Sequence, residues 1–205
     1  MTTTTAHAGA GPRQALNVFL LSGVAALIYQ VCWQRLLFAA FGVDIESVTI
    51  IVSTFMFGLG LGAIAGGRVA DAMPERIIPL FALIELGIAL FGLVSPTLIP
   101  WLGRVCVLVP LPVMALANFL LLLFPTALMG ATLPMLTSYL NRHYQNVGAS
   151  IGTLYCINTL GAALGALATG LLLFNYLPLN SCIYLACVLN LIVSVSTWLS
   201  FRRAP

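Results

Sequence analysis

Apolar residues run along this chain in long unbroken blocks, without the strict alternation of a half-buried strand, and the charged residues gather in the gaps between blocks. A hydrocarbon core about 30 Å thick requires about 20 predominantly apolar residues for each helical crossing. Six blocks meet that requirement and predict helices over 15–39, 47–67, 77–99, 113–137, 148–174 and 179–201. The fourth is the least simply bounded, because no charge occurs from Val105 to Leu140. As one helix that stretch would be about 54 Å long, too long for one crossing and too short for two. Pro110 and Pro112 interrupt its start, so residues 104–112 read as an interfacial segment. A seventh span is the competing count.

The fold class that follows is all-α and integral to a membrane. Composition agrees, with 61% hydrophobic residues and a mean hydropathy of +1.09, against about 45–50% apolar usage in soluble domains. Residues 1–14 read as a disordered, Thr-rich cytoplasmic leader and 15–205 as one six-helix domain, which leaves no room for a soluble catalytic domain. The first block runs into Trp33, Gln34 and Arg35, where a secretory signal would show a small-residue cleavage site, so it reads as a retained helix.

All eight cations are arginines. Arg13, Arg68, Arg76, Arg142, Arg202 and Arg203 fall on the side that holds both termini, and Arg35 and Arg104 on the other. Cytoplasmic loops retain positive charge during insertion, which places both termini in the cytoplasm. The net charge of +3 is accounted for by these loops and by attraction to anionic lipid, and carries no nucleic-acid reading. Cys32, Cys106, Cys156, Cys182 and Cys187 show no metal-ligand or redox spacing. They read as small packing residues, and neither a metal nor a cofactor is expected.

Residues 61–67, Leu-Gly-Ala-Ile-Ala-Gly-Gly, align with 164–170, Leu-Gly-Ala-Leu-Ala-Thr-Gly, at five of seven positions. An odd number of spans separates the two segments, so the chain reads as two three-helix units of opposite membrane orientation, an inverted repeat of the transporter kind. Gly58, Gly62 and Gly66 recur every four residues, as do Gly161 and Gly165. Small faces of this type bring helices close, either within one protomer or between two copies of a homodimer.

Few polar groups lie inside the spans. Glu85 stands about 10 Å into the third helix by helical rise, and intramembrane acids usually face an interior. Ser22, Thr132 and Tyr155 count to a similar depth. Glu85 with the hydroxyls of Thr132 and Tyr155 is therefore a candidate cation or proton site; the alternative is a hydrogen-bonded packing carboxyl. Asn158 is read as an interhelical hydrogen-bond donor, with substrate contact as the other role. Arg35 is expected to be neutralised by Asp44 and Glu46, with Tyr29, Gln30 and Trp33 extending an interfacial polar and aromatic patch. Arg68 and Asp71 have the spacing of a pair on one helical turn.

The run Ser22-Gly23-Val24-Ala25-Ala26-Leu27-Ile28-Tyr29-Gln30, with Trp33, Arg35-Leu36-Leu37 and Phe41-Gly42, resembles the membrane half of bacterial fused spermidine-synthase-like proteins. So do Phe55-Met56, Gly58-Leu59-Gly60-Leu61-Gly62, Gly67-Arg68-Val69-Ala70-Asp71, Glu85-Leu86-Gly87-Ile88, the segment 125–134 and the segment 155–162. Residues 66–76 are similar to a degraded loop motif of major facilitator transporters. The resemblance implies a unit like half of that transporter fold, in a bacterial inner membrane. It also implies a cytoplasmic aminopropyltransferase domain that does not appear before Pro205, so enzymatic transfer is not expected. Anchoring or regulation of a separately encoded polyamine-synthase-like partner, through 68–76 and 142–146, is the leading expectation. A homodimeric transporter of a polyamine or other cation, with the glycine faces meeting between copies, is the alternative. A structural subunit of a larger membrane complex is the third.

Overall fold

A computed structural model describes residues 12–41, 44–106, 108–144 and 146–202. Six helices in it are long and apolar enough to cross a membrane. They are α1 (Pro12–Phe41), α2 (Asp44–Ala72), α3 (Ile77–Val105), α4 (Leu111–Tyr144), α5 (Val147–Tyr176) and α6 (Leu179–Arg202). A short 3-10 turn, Pro74–Arg76, leads into α3, and α5 passes through a π-helical turn at Thr169–Leu173.

The helices are longer than hydropathy alone predicts. Pro12 to Gln14, expected in the leader, already belong to α1, where a proline at the first position gives up no needed N–H; residues 1–11 lie outside the described residues. The expected interfacial segment is also shorter. α3 continues to Val105 despite Pro96 and Pro100, and a tight turn then leads to α4 at Leu111. Pro112 falls in the first turn of α4, where proline is tolerated. The long apolar stretch is thus divided between the end of α3, a turn and one helix, and the count stays at six.

The main helix pairings are α1 with α5, α2 with α4 and α3 with α6, followed by α1 with α6 and α3 with α4. Exchanging α1, α2 and α3 for α4, α5 and α6 maps α1–α5 onto α2–α4, α1–α6 onto α3–α4, and α3–α6 onto itself. The glycines obey the same exchange. A Cβ on Gly62 would strike the carbonyl of Ala127, and one on Gly165 the carbonyl of Val24. The same sequence distance separates Gly62 from Gly165 and Val24 from Ala127. Gly58 and Gly66 likewise press on Thr126 and Ala131 of α4, and Gly161 on Leu20 of α1. Both glycine faces are therefore covered inside one protomer, by α4 and by α1.

The core is carried by α1, α3 and α6, while α2 and α5 turn more of their surface outward. Trp33 sits at its centre, stacked on Tyr29 at 4.9 Å and edge-on to Phe91 at 5.5 Å.

Candidate functional site

Three one-sided helix faces converge on Glu85. On α3, Phe81, Ala82, Glu85, Ile88, Ala89 and Gly92 are buried at helical spacing. On α1, Ser22, Ala25 and Tyr29 form the facing row, and on α6, Cys187, Asn190 and Ser194 do so. Glu85 is 0% exposed. Ser22 Oγ donates to its Oε1 at 2.7 Å, and Asn190 Nδ2 donates to its Oε2 at 2.5 Å. One turn further along α6, Ser194 Oγ donates to the carbonyl of Ala82 at 2.7 Å. The carboxyl is held by two neutral donors from two other helices, and no ion pair to it exists among the described residues. Burial of an acid is tolerable only when its oxygens are satisfied in this way. Asn190 Oδ1, by contrast, is buried without a partner.

The expected partners of Glu85 stand elsewhere. Tyr155 is 62% exposed on the outer side of α5. Thr132 is buried, but its hydroxyl donates to the carbonyl of Met129 within α4 at 2.6 Å. Ser22, counted to a similar depth but not placed in the candidate site, is the hydroxyl that meets Glu85; a depth count carries no helix rotation and so could not separate it from Tyr155. Asn158 lies in the α1–α5 crossing, where its backbone carbonyl and side-chain oxygen stand over Gly23. It makes no side-chain hydrogen bond to another helix among the described residues.

A second buried polar chain adjoins the first. Pro96 has no N–H, so the carbonyl of Gly92 four residues earlier loses its helical partner. Ser95 Oγ replaces that donor at 2.9 Å and accepts in turn from Trp33 Nε1 at 2.9 Å. The Tyr29 hydroxyl presses on Gly92 and stands beside the Cys187 thiol. Tyr29 and Trp33 are thus core residues at 0% exposure, where an interfacial patch was expected; Gln30 is half-buried. Arg35 lies over the ring of Phe174, just after the π turn, with Cζ at 4.1 Å from the centroid. The side chains of Asp44 and Glu46, its expected partners, lie outside the described residues.

At the end of the bundle that holds both chain ends, a cleft of about 430 Å³ opens between α2, α4 and α5. Asp71, Thr137, Ser138 and Asn141 supply its polar lining, and Asn141 Oδ1 is buried without a partner. Arg68 and Asp71 are both exposed there, and no ion pair joins them. The five cysteines are free thiols, with only Cys156 exposed. No group of three or more metal-ligating side chains occurs among the described residues.

No protein-family model matches the chain, and no curated protein or solved structure is significantly similar to it.

Chemically, the Glu85 site can hold a proton or a buried negative charge, and it joins three helices. Asn190 is the residue that sequence reasoning missed. Its signal was present: Asn190, Ser194 and Thr197 place three polar side chains on one face of a span, at the spacing of adjacent helical turns.

Proposed function

We propose that this chain is a non-enzymatic membrane module that anchors or regulates a cytoplasmic partner of the polyamine-synthase type. It resides in a bacterial inner membrane with both termini in the cytoplasm. The observation that carries this reading is the closure of the Glu85 site: a fully buried acid whose two oxygens are both engaged by neighbouring helices. Such a group is suited to fixing helix positions, and less suited to exchanging cargo with solvent. The polar cleft bordered by Asp71 and Asn141, beside the loops 68–76 and 142–146, offers the partner a docking region. The motif resemblance supplies the chemistry of that partner.

Native mass spectrometry of the protein extracted from its own membrane in mild detergent tests the reading. A stoichiometric soluble subunit with an aminopropyltransferase-type fold is the expected result. A partner-free protein that drives polyamine uptake into proteoliposomes, with uptake lost in Glu85→Gln, overturns it.

One observation favours transport as a second reading. The exchange of helix pairings between the two halves is the arrangement expected of an inverted repeat, and two copies of such a unit would supply both halves of a major-facilitator-like carrier. A dimer of that kind would need a surface other than the glycine faces.

A further inference from the structure

The first two turns of α5 present Asn146, Ala149, Ser150 and Thr153 to a cavity of about 330 Å³, whose lining among the described residues is completed by Leu16 of α1 and Leu140 of α4. Ser150 is 3% exposed, and its hydroxyl has no hydrogen-bond partner. Buried hydroxyls are almost always paired, so an unpaired one lining a cavity marks a place for a ligand atom. Its neighbours add donors. Asn146 Oδ1 caps the N–H of Ala149 at 3.1 Å, which leaves the side-chain amide hydrogens of Asn146 free to donate. Thr153 brings a second hydroxyl one turn further on. Among the described residues no acidic side chain lines the cavity, and the amino end of a long helix carries a partial positive charge, although the N–H groups of Ala149 and Ser150 are themselves engaged by Asn146. The lining is therefore that of an anion site.

Position and shape identify the anion. The cavity lies where α1 begins, α4 ends and α5 begins, close to the boundary between hydrocarbon and headgroups. That end of the bundle also carries Arg13, Arg142 and Arg202 along the sequence, and basic residues beside spans attract anionic lipid. One wall is leucine and the other is amide and hydroxyl, so the occupant must be amphipathic. A free phosphate would leave Leu16 and Leu140 uncovered.

We propose that this cavity binds a phosphate ester, supplied by the headgroup of a membrane phospholipid. The phosphate faces Ser150 and the amino end of α5, and the glycerol and first methylenes cover Leu16 and Leu140. The site is independent of Glu85 and of any soluble partner.

Delipidated full-length protein in mild detergent is titrated with phosphatidylglycerol, with diacylglycerol of the same chains and with inorganic phosphate, and adducts are counted by native mass spectrometry. The expected result is one saturable phosphatidylglycerol adduct that inorganic phosphate does not displace. Ser150→Leu, which fills the cavity, weakens it by about tenfold or more, as loss of a hydrogen bond to a charged group does. Ser150→Ala and Thr153→Val preserve the helix and the space, and each lowers affinity several-fold while thermal unfolding stays in place. Diacylglycerol binding as tight as phosphatidylglycerol overturns phosphate recognition. Displacement by inorganic phosphate overturns the lipid as its source. Equal phosphatidylglycerol binding by the parent and all three variants overturns the site.

Discussion

Asn190 on α6 donates its side-chain amide to Glu85 on α3 and at the same time leaves its own carbonyl oxygen buried and unpaired. A carboxylate opposite an asparagine uses only the amide's donor half. Glu85→Gln changes the balance, because Asn190 can then rotate and accept a hydrogen bond from the new amide. The replacement is expected to alter stability by less than about 1 kcal/mol. Asn190→Leu, which leaves Oε2 of the buried acid without its donor while Ser22 keeps Oε1, is expected to cost about 1–3 kcal/mol. Thermal unfolding in detergent compares the two, and an equal loss in both variants refutes the closed packing role of Glu85.

The helix crossings predict opposite effects for alanine at different glycines. A Cβ at Gly62 or Gly165 meets a backbone carbonyl of the neighbouring helix, so each Gly→Ala change is expected to destabilise by about 1–3 kcal/mol. Gly60 and Gly170 have nothing within 4 Å of an added Cβ. Alanine there should be neutral or stabilise by up to about 1 kcal/mol through helix propensity. Melting temperatures of the four variants check the contrast, and a uniform response would mean that the crossings are looser than described.

Ser95→Ala removes the donor to the Gly92 carbonyl and the acceptor of Trp33 Nε1 together. A loss of about 2 kcal/mol or more is expected. Adding Pro96→Ala restores a backbone N–H for that carbonyl, so the double variant should recover part of the loss. Urea or thermal titration of the double-mutant cycle decides; no recovery means that the proline is not the origin of the serine's role.

Arg35 and Phe174 couple α1 to the segment after the π turn. Arg35→Gln and Phe174→Leu should each destabilise by about 0.5–2 kcal/mol, and the double variant should lose little more than either single change. Full additivity in the cycle argues against the contact.

The spans and their number were legible because each needs only a long apolar block, a signal that survives in sequence without knowledge of neighbours. Rotation about the helix axis was not. α5 is apolar on nearly every side, so nothing in its hydropathy says which face turns inward, and Tyr155 was assigned to the interior by depth alone. Its glycines held the missing information. Once Gly161 is known to face α1, a turn of about 100° per residue puts Tyr155 about 120° away on the outer side. Trp33 misled for a related reason: an indole near a helix end usually marks the interface, but here Ser95 Oγ accepts from its N–H while donating to the Gly92 carbonyl that Pro96 frees on another helix. Such an arrangement depends on three-dimensional neighbours. Asn190 was the readable exception, since it lies with Ser194 and Thr197 in a polar stripe on one span.

The interleaving of the two halves also sets an order of events during synthesis. α1 finds its main partner in α5, and Glu85 finds Asn190 only 105 residues later in the chain. At about 5–20 residues per second of translation, the acid of α3 remains in the membrane for on the order of 5–20 s before its α6 partner has been made. During that interval the first three spans carry an incompletely satisfied carboxyl and glycine-lined grooves with no occupant. These spans are thus most exposed to membrane quality control just before α6 arrives, and completion of α6 is the step that turns inserted helices into a packed bundle.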